Sequence, residues 1–164
     1  MAQITGRVGG RIIGFSCNCQ VSGNRVTGRL GGMFIGASVD LEILDDHSIN
    51  GRVGGSTLGK DVKCQVSENS LTGRIGGQYD GDTVNIRVEN SAIKGRWGGQ
   101  VIGFDLNLTL SDGKLEGRLG GPVIGHSVSF HVSNAVSPLL LSLMAGLTYY
   151  KFMEKNRESS SGSS

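Results

Sequence analysis

A five-residue phrase, Gly-Arg-apolar-Gly-Gly, occurs six times, opening at Gly6, Gly28, Gly51, Gly73, Gly95 and Gly117. Successive openings are 22, 23, 22, 22 and 22 residues apart, and a further glycine stands eight residues after each, at Gly14, Gly36, Gly59, Gly81, Gly103 and Gly125. Periods in this range mark units that bury their apolar faces only against their neighbours. The chain therefore folds, over residues 1–134, as six similar pieces laid side by side.

Each piece alternates with period two. Cys17, Cys19 and Val21 fall on one face, with Ser16, Asn18 and Gln20 on the other. The same places hold Val39, Leu41 and Ile43; Val62, Cys64 and Val66; Val84, Ile86 and Val88; Leu106, Leu108 and Leu110; and Val128, Phe130 and Val132. Such alternation is the signature of half-buried strands. The Gly-Arg stretches alternate too, so each copy is two strands. Turn-forming pairs sit between them at Gly23-Asn24, Glu68-Asn69, Asn90-Ser91 and Asp112-Gly113. This register pairs Val21 with Val26, Val66 with Leu71, Val88 with Ile93 and Leu110 with Leu115. It also sets Gly28 against Cys19, Gly73 against Cys64 and Gly95 against Ile86. The one-residue insertion falls in the loop 44–48 and leaves the register intact. The Gly-Gly pairs mark the opposite bends, where positive φ is expected.

The predicted fold is an all-β repeat protein: six two-stranded units in an antiparallel meander or rolled sheet, with a β-solenoid as the alternative. Electrostatics favours the meander, since coils stacked at about 4.8 Å would ladder six arginines at close range. The unit is similar in length to MORN repeats and to curlin-type amyloid repeats. The aromatic positions of the former are here Ile4, Val26, Ile49 and Leu71, and the Gln and Asn ladders of the latter are missing, so no functional residue is carried over.

The six arginines, Arg7, Arg29, Arg52, Arg74, Arg96 and Arg118, are the most regular polar feature. They are candidate ligands for an anion, or else stems that cover the polar face and pair locally. The register sets Arg52 against Asp40, places Arg74 and Arg118 diagonal to Asp61 and Asp105, and leaves Arg29 and Arg96 without a nearby acid. Trp97 stands alone on the other face. Cys17, Cys19 and Cys64 occupy apolar-face positions and read as buried reduced thiols, since Cys-x-Cys is not a usual zinc spacing. Asp45-Asp46-His47 reads as a solvated turn. His126 and His131 have no nucleophile spaced for a triad, and no helix follows the glycines as a phosphate loop requires. No metal, no cofactor and no catalytic site is expected.

The pattern breaks after residue 134. Ser137-Pro138 reads as a helix start. Seventeen uncharged residues, 134–150, precede Lys151, Lys155 and Arg157. Leu140, Leu143, Met144 and Leu147, with Leu139 and Leu141, spread around the whole helix, which spans 135–157. A helix apolar all round is buried in protein or in lipid. It packs on the β-array or a sister subunit, or it contacts a membrane through residues 138–153; Gly146 and the short span favour protein. Residues 158–164 read as a flexible Ser/Gly tail.

Net charge is +2, from 16 basic and 14 acidic residues, which excludes a disordered polyelectrolyte and gives no push toward specific nucleic-acid binding. Three cysteines make no disulfide framework, and no basic, apolar leader follows Met1. A cytoplasmic location follows, with membrane anchoring through the helix as the alternative. The expected role is non-enzymatic: a structural, self-assembling subunit whose partner is itself or a larger assembly, with the first strand, residues 3–8, open for pairing. The rival role is a binding module that presents the arginine row to an anionic polymer. A third, an outer-membrane-type barrel with its apolar face toward lipid, lacks aromatic girdles.

Overall fold

A computed structural model describes residues 1–162, apart from 11, 33–34, 55–58, 77–80, 99–102 and 122–124, with the backbone alone for 155–162. The first six strands are β1 (Ala2–Gly9), β2 (Gly14–Ser22), β3 (Arg25–Gly31), β4 (Gly36–Ile43), β5 (Ser48–Val53) and β6 (Lys60–Val66). They are followed by β7 (Ser70–Ile75), β8 (Asp82–Glu89), β9 (Ala92–Gly98), β10 (Gly103–Ser111), β11 (Lys114–Gly120) and β12 (Gly125–Val132). One helix, α1 (Pro138–Gly162), completes the chain. Its backbone continues past the expected end at 157 into the expected tail; residues 163–164 lie outside the described residues.

Every strand pairs antiparallel with its sequence neighbours, and β1 pairs with β12, so the meander closes into a barrel. The solenoid is not what forms. Nor is the first strand open: β1 is bonded to β2 on one side and β12 on the other. Closure removes the free edges that a meander leaves exposed, which is why the terminal strands need no proline or lysine guard.

The expected hairpin register holds at every pair, with Val21 opposite Val26, Val66 opposite Leu71, Val88 opposite Ile93 and Leu110 opposite Leu115. The tight turns take positive φ at Gly23, Asn90, Asp112 and Gly113, and His47 absorbs the insertion in the same way at φ 66°. Ile43 still faces Ile49 beyond it. At the other end the first glycine of all six Gly-Gly pairs has positive φ, from 92° at Gly9 to 150° at Gly31. Of the second glycines, Gly55, Gly77 and Gly99 lie outside the described residues.

Closure makes a lumen. Twelve strands about 4.8 Å apart and tilted by about 40° enclose a radius of roughly 12 Å. One lining layer of side chains leaves a bore about as wide as a helix with its side chains, about 10–12 Å. Helix α1 fills that bore. All residues from Leu139 to Tyr150, and Phe152, are buried, and the helix touches β1, β2 and β3 on one side and β8 to β11 on the other. Its five leucines in this stretch and Met144 contribute about 1.5–3 kcal/mol each by burial. The hydroxyls of Ser142 and Thr148 are buried as well, and each donates to the carbonyl one turn back, of Pro138 and Met144. Ser137 caps the start, its Oγ accepting from the Leu139 N–H at 3.2 Å.

Gly146 is explained by Trp97. A Cβ at position 146 would collide with the indole ring, which lies against the helix at this point and is itself 1% exposed. Gly146→Ala would ordinarily gain about 1 kcal/mol of helix propensity. Here the clash, at about 1–3 kcal/mol for an overpacked core, should outweigh it. Chemical denaturation should therefore find the variant less stable than the parent, with much of the loss recovered when Trp97→Phe is added.

Candidate functional site

The chain's polar chemistry lies outside the barrel and its apolar chemistry inside. On the odd-numbered strands the glycine of each Gly-Arg points inward and the arginine outward. The inward glycines leave no room for a side chain: at Gly28 and Gly117 a Cβ would strike the neighbouring strand at the carbonyls of Asn18 and Asn107. Close approach of the adjacent strand, and not packing by a neighbouring layer, is thus the reason for the glycine.

Five of the six arginines fall into two groups. Arg7 donates from Nε to the Gly10 carbonyl at 2.9 Å and from Nη1 to Ser16 Oγ at 2.8 Å. Arg118 reaches the Gly125 carbonyl at 3.4 Å. The guanidinium groups of Arg7, Arg29 and Arg118 lie over Gly14, Gly36 and Gly125, where a Cβ would come within 3.3, 2.8 and 3.1 Å of their nitrogens. In these three repeats this explains the glycine eight residues after the opening one: it makes way for the arginine of its own repeat. Arg52 and Arg96 instead form ion pairs, with Asp61 at 2.6 Å and with Asp105 at 2.9 Å. The Arg96 pair corrects the expectation of no nearby acid. It forms across β9 and β10, which the loop-end connection joins and the register of the tight-turn hairpins does not reach. Asp40, though opposite Arg52, is bound by Arg25 at 2.9 Å, which holds its carboxyl below the usual range. Arg74 faces Lys63 and Thr83.

The helix residues offered for assembly or membrane contact, Leu140, Leu143, Met144 and Leu147, are all buried within the barrel. No helix among the described residues is long and apolar enough to cross a membrane. The outer wall carries charged and hydroxyl side chains, the reverse of a wall that faces lipid.

Aromatic side chains gather where α1 reaches the loop end. Trp97 stacks on Phe104 at 5.4 Å, Phe104 meets Tyr149 edge-on at 4.6 Å, and His126 lies between Tyr149 and Phe152. Burial pushes the Tyr149 hydroxyl above its ordinary range. Trp97 Nε1 and His126 Nδ1 are buried without a hydrogen-bond partner among the described residues. His131 lies between Thr5 and Lys114 on the outer wall. Asp46 accepts from both the N–H and the hydroxyl of Ser48, at 3.1 and 2.6 Å, so its carboxylate shapes the inserted turn.

The sequence reading missed the loop end. Ile12, Ile13 and Ile35 are 95%, 66% and 52% exposed, in the adjacent connections β1–β2 and β3–β4. The signal was present, because the apolar positions just before Gly14 and Gly36 belong to the repeat. Among the described residues no cluster of three or more His, Cys, Asp or Glu could hold a metal ion. Comparison of the chain with protein families, with characterised proteins and with solved structures finds no match.

Cys17, Cys19 and Cys64 are buried, reduced and inside the barrel. The Cys17 thiol donates to Cys19 Sγ at 3.7 Å, and this bond and burial raise its pKa. Burial pushes Cys64 from 9.0 up to about 12, against a smaller opposing effect of the Arg74 backbone hydrogen bond. The native state therefore keeps the Cys64 proton after the unfolded chain has lost its own. That stability is full below pH 9.0 and falls as pH rises toward 12. A thiol reagent at pH 8 should label none of the three until denaturant is added, and unfolding midpoints should drop between pH 9 and 12. A Cys64→Ala variant should lose part of that drop.

Proposed function

We propose that this protein is a non-enzymatic scaffold subunit that associates with further copies of itself through the loop end of its barrel. The observation that carries the reading is the trio Ile12, Ile13 and Ile35, exposed at one end of a molecule whose outer wall is otherwise polar. In an up-and-down barrel all six odd-to-even connections meet at that same end. In the other four repeats the sequence before the second glycine reads Thr57-Leu58, Tyr79-Asp80, Val101-Ile102 and Val123-Ile124, apolar in most positions, and these residues lie outside the described ones. Exposed apolar clusters rimmed by polar surface mark association sites. An apolar patch at the end of the barrel suits a like patch on a second copy, as in an isologous dimer.

Other modes of association have less support. Strand-to-strand pairing has no open edge to use, and the apolar helix is taken up by the barrel. The lumen, filled by α1, gives a small-molecule carrier no bore. Three reduced thiols suit a reducing compartment such as the cytoplasm.

Light scattering over a range of concentrations should give a mass above that of one chain. Ile12→Ser with Ile13→Ser, or Ile35→Asp alone, should return the mass to that of one chain while the barrel stays folded, since in the single chain these side chains are exposed; the melting temperature should lose only its dependence on concentration. A parent protein that stays monomeric at high concentration would overturn the proposal.

A further inference from the structure

The outer wall does not neutralise its charges evenly. On β3 to β6 two cations have their acids, Arg25 bound to Asp40 and Arg52 to Asp61. On the β8–β9 hairpin the register instead sets Arg87 directly against Lys94. Facing residues of this kind have Cβ atoms roughly 4.5–5.5 Å apart, and like charges so placed destabilise a sheet. Neither side chain forms a hydrogen bond or an ion pair with any described residue. Arg96, opposite Asn85, lies beside them and is oriented by Asp105 at 2.9 Å.

These cations border a groove of about 640 Å³ on the outside of the hairpin. Ala92 and Gly95, with little or no side chain, contribute to its lining, and the amides of Asn85 and Asn90 lie beside them. One carboxylate, Glu89, lines it from a place opposite Ala92. We infer that this groove is a binding site for a small, multiply charged oxyanion of the oligophosphate class, with Arg87 and Lys94 as its principal ligands. The guanidinium of Arg87 can grip two oxygens of one phosphoryl group, and the Lys94 ammonium supplies a point charge for the next. The lining holds no aromatic ring on which a base could stack, so the ligand is read by charge and not by nucleobase. The site is on the barrel wall, away from the loop end, and does not depend on self-association.

Calorimetric titration of the full chain with sodium tripolyphosphate tests this. Saturable binding is expected, weakening as salt rises. Arg87→Gln with Lys94→Gln should lower the affinity at least tenfold. Arg25→Gln, which removes an equally exposed but paired cation, should change it less than twofold. The double variant should also melt no lower than the parent, because a repulsive pair has been removed. Amide shifts in the unmodified protein should cluster within residues 85–96, a readout that stands even if the double variant folds poorly. No saturable binding, undiminished binding by a folded double variant, or shifts centred on another part of the wall would each overturn the site. Vesicles of phosphatidylserine in phosphatidylcholine give the remaining arm. Co-sedimentation lost in the double variant, without tripolyphosphate binding, would replace the free anion with a lipid headgroup and overturn the inference.

Discussion

A closed barrel of twelve strands cannot stand empty. Its bore is too wide for wall side chains to meet across the axis, and unfilled apolar volume forfeits both burial and dispersion contacts. Helix α1 resolves this from within the same chain, and its sequence makes sense only in that place. A helix on a barrel's surface needs one apolar stripe. A helix inside a barrel is surrounded by wall, and Leu139, Leu140, Leu141 and Leu143 point in every direction because every direction is core. The same enclosure explains Gly146, which would be a defect on a surface helix but here gives Trp97 its place.

The wall follows from two faces of a single phrase. In each Gly-Arg the glycine faces inward where adjacent strands approach too closely for a Cβ. The arginine faces outward, over the glycine of the next bend or toward an aspartate across the strand. The repeated motif is thus mostly a device for building a tightly curved, closed sheet. Conspicuous periodicity and function need not coincide: the row that looks most like a binding site is largely engaged with its own wall. Arg87 and Lys94, which face each other with no acid bound to either, sit outside the motif.

Local structure was legible because its causes are local. Alternation, turn pairs and the Gly-Gly bends act over a few residues, and the pairings of Val21 with Val26 and Leu110 with Leu115 follow directly. Closure was not legible, since nothing in the strand Gln3–Val8 announces that Val132 will lie beside Ile4. The Arg96–Asp105 pair was hidden for a related reason, because it spans strands joined at the loop end and not the two strands of a tight-turn hairpin. The destination of the helix was open between protein and lipid because both are apolar all round. Only the width of the closed bore decides between them.

Hydrogen exchange resolved to single amides in the full-length protein tests the central claim, that α1 is the core of the barrel. Backbone amides of residues 141–152 should be among the slowest in the molecule, exchanging together with the middle of β1, β2 and β9 through global unfolding. Helix amides that exchange orders of magnitude faster than a protected barrel would place α1 outside the bore and contradict the account.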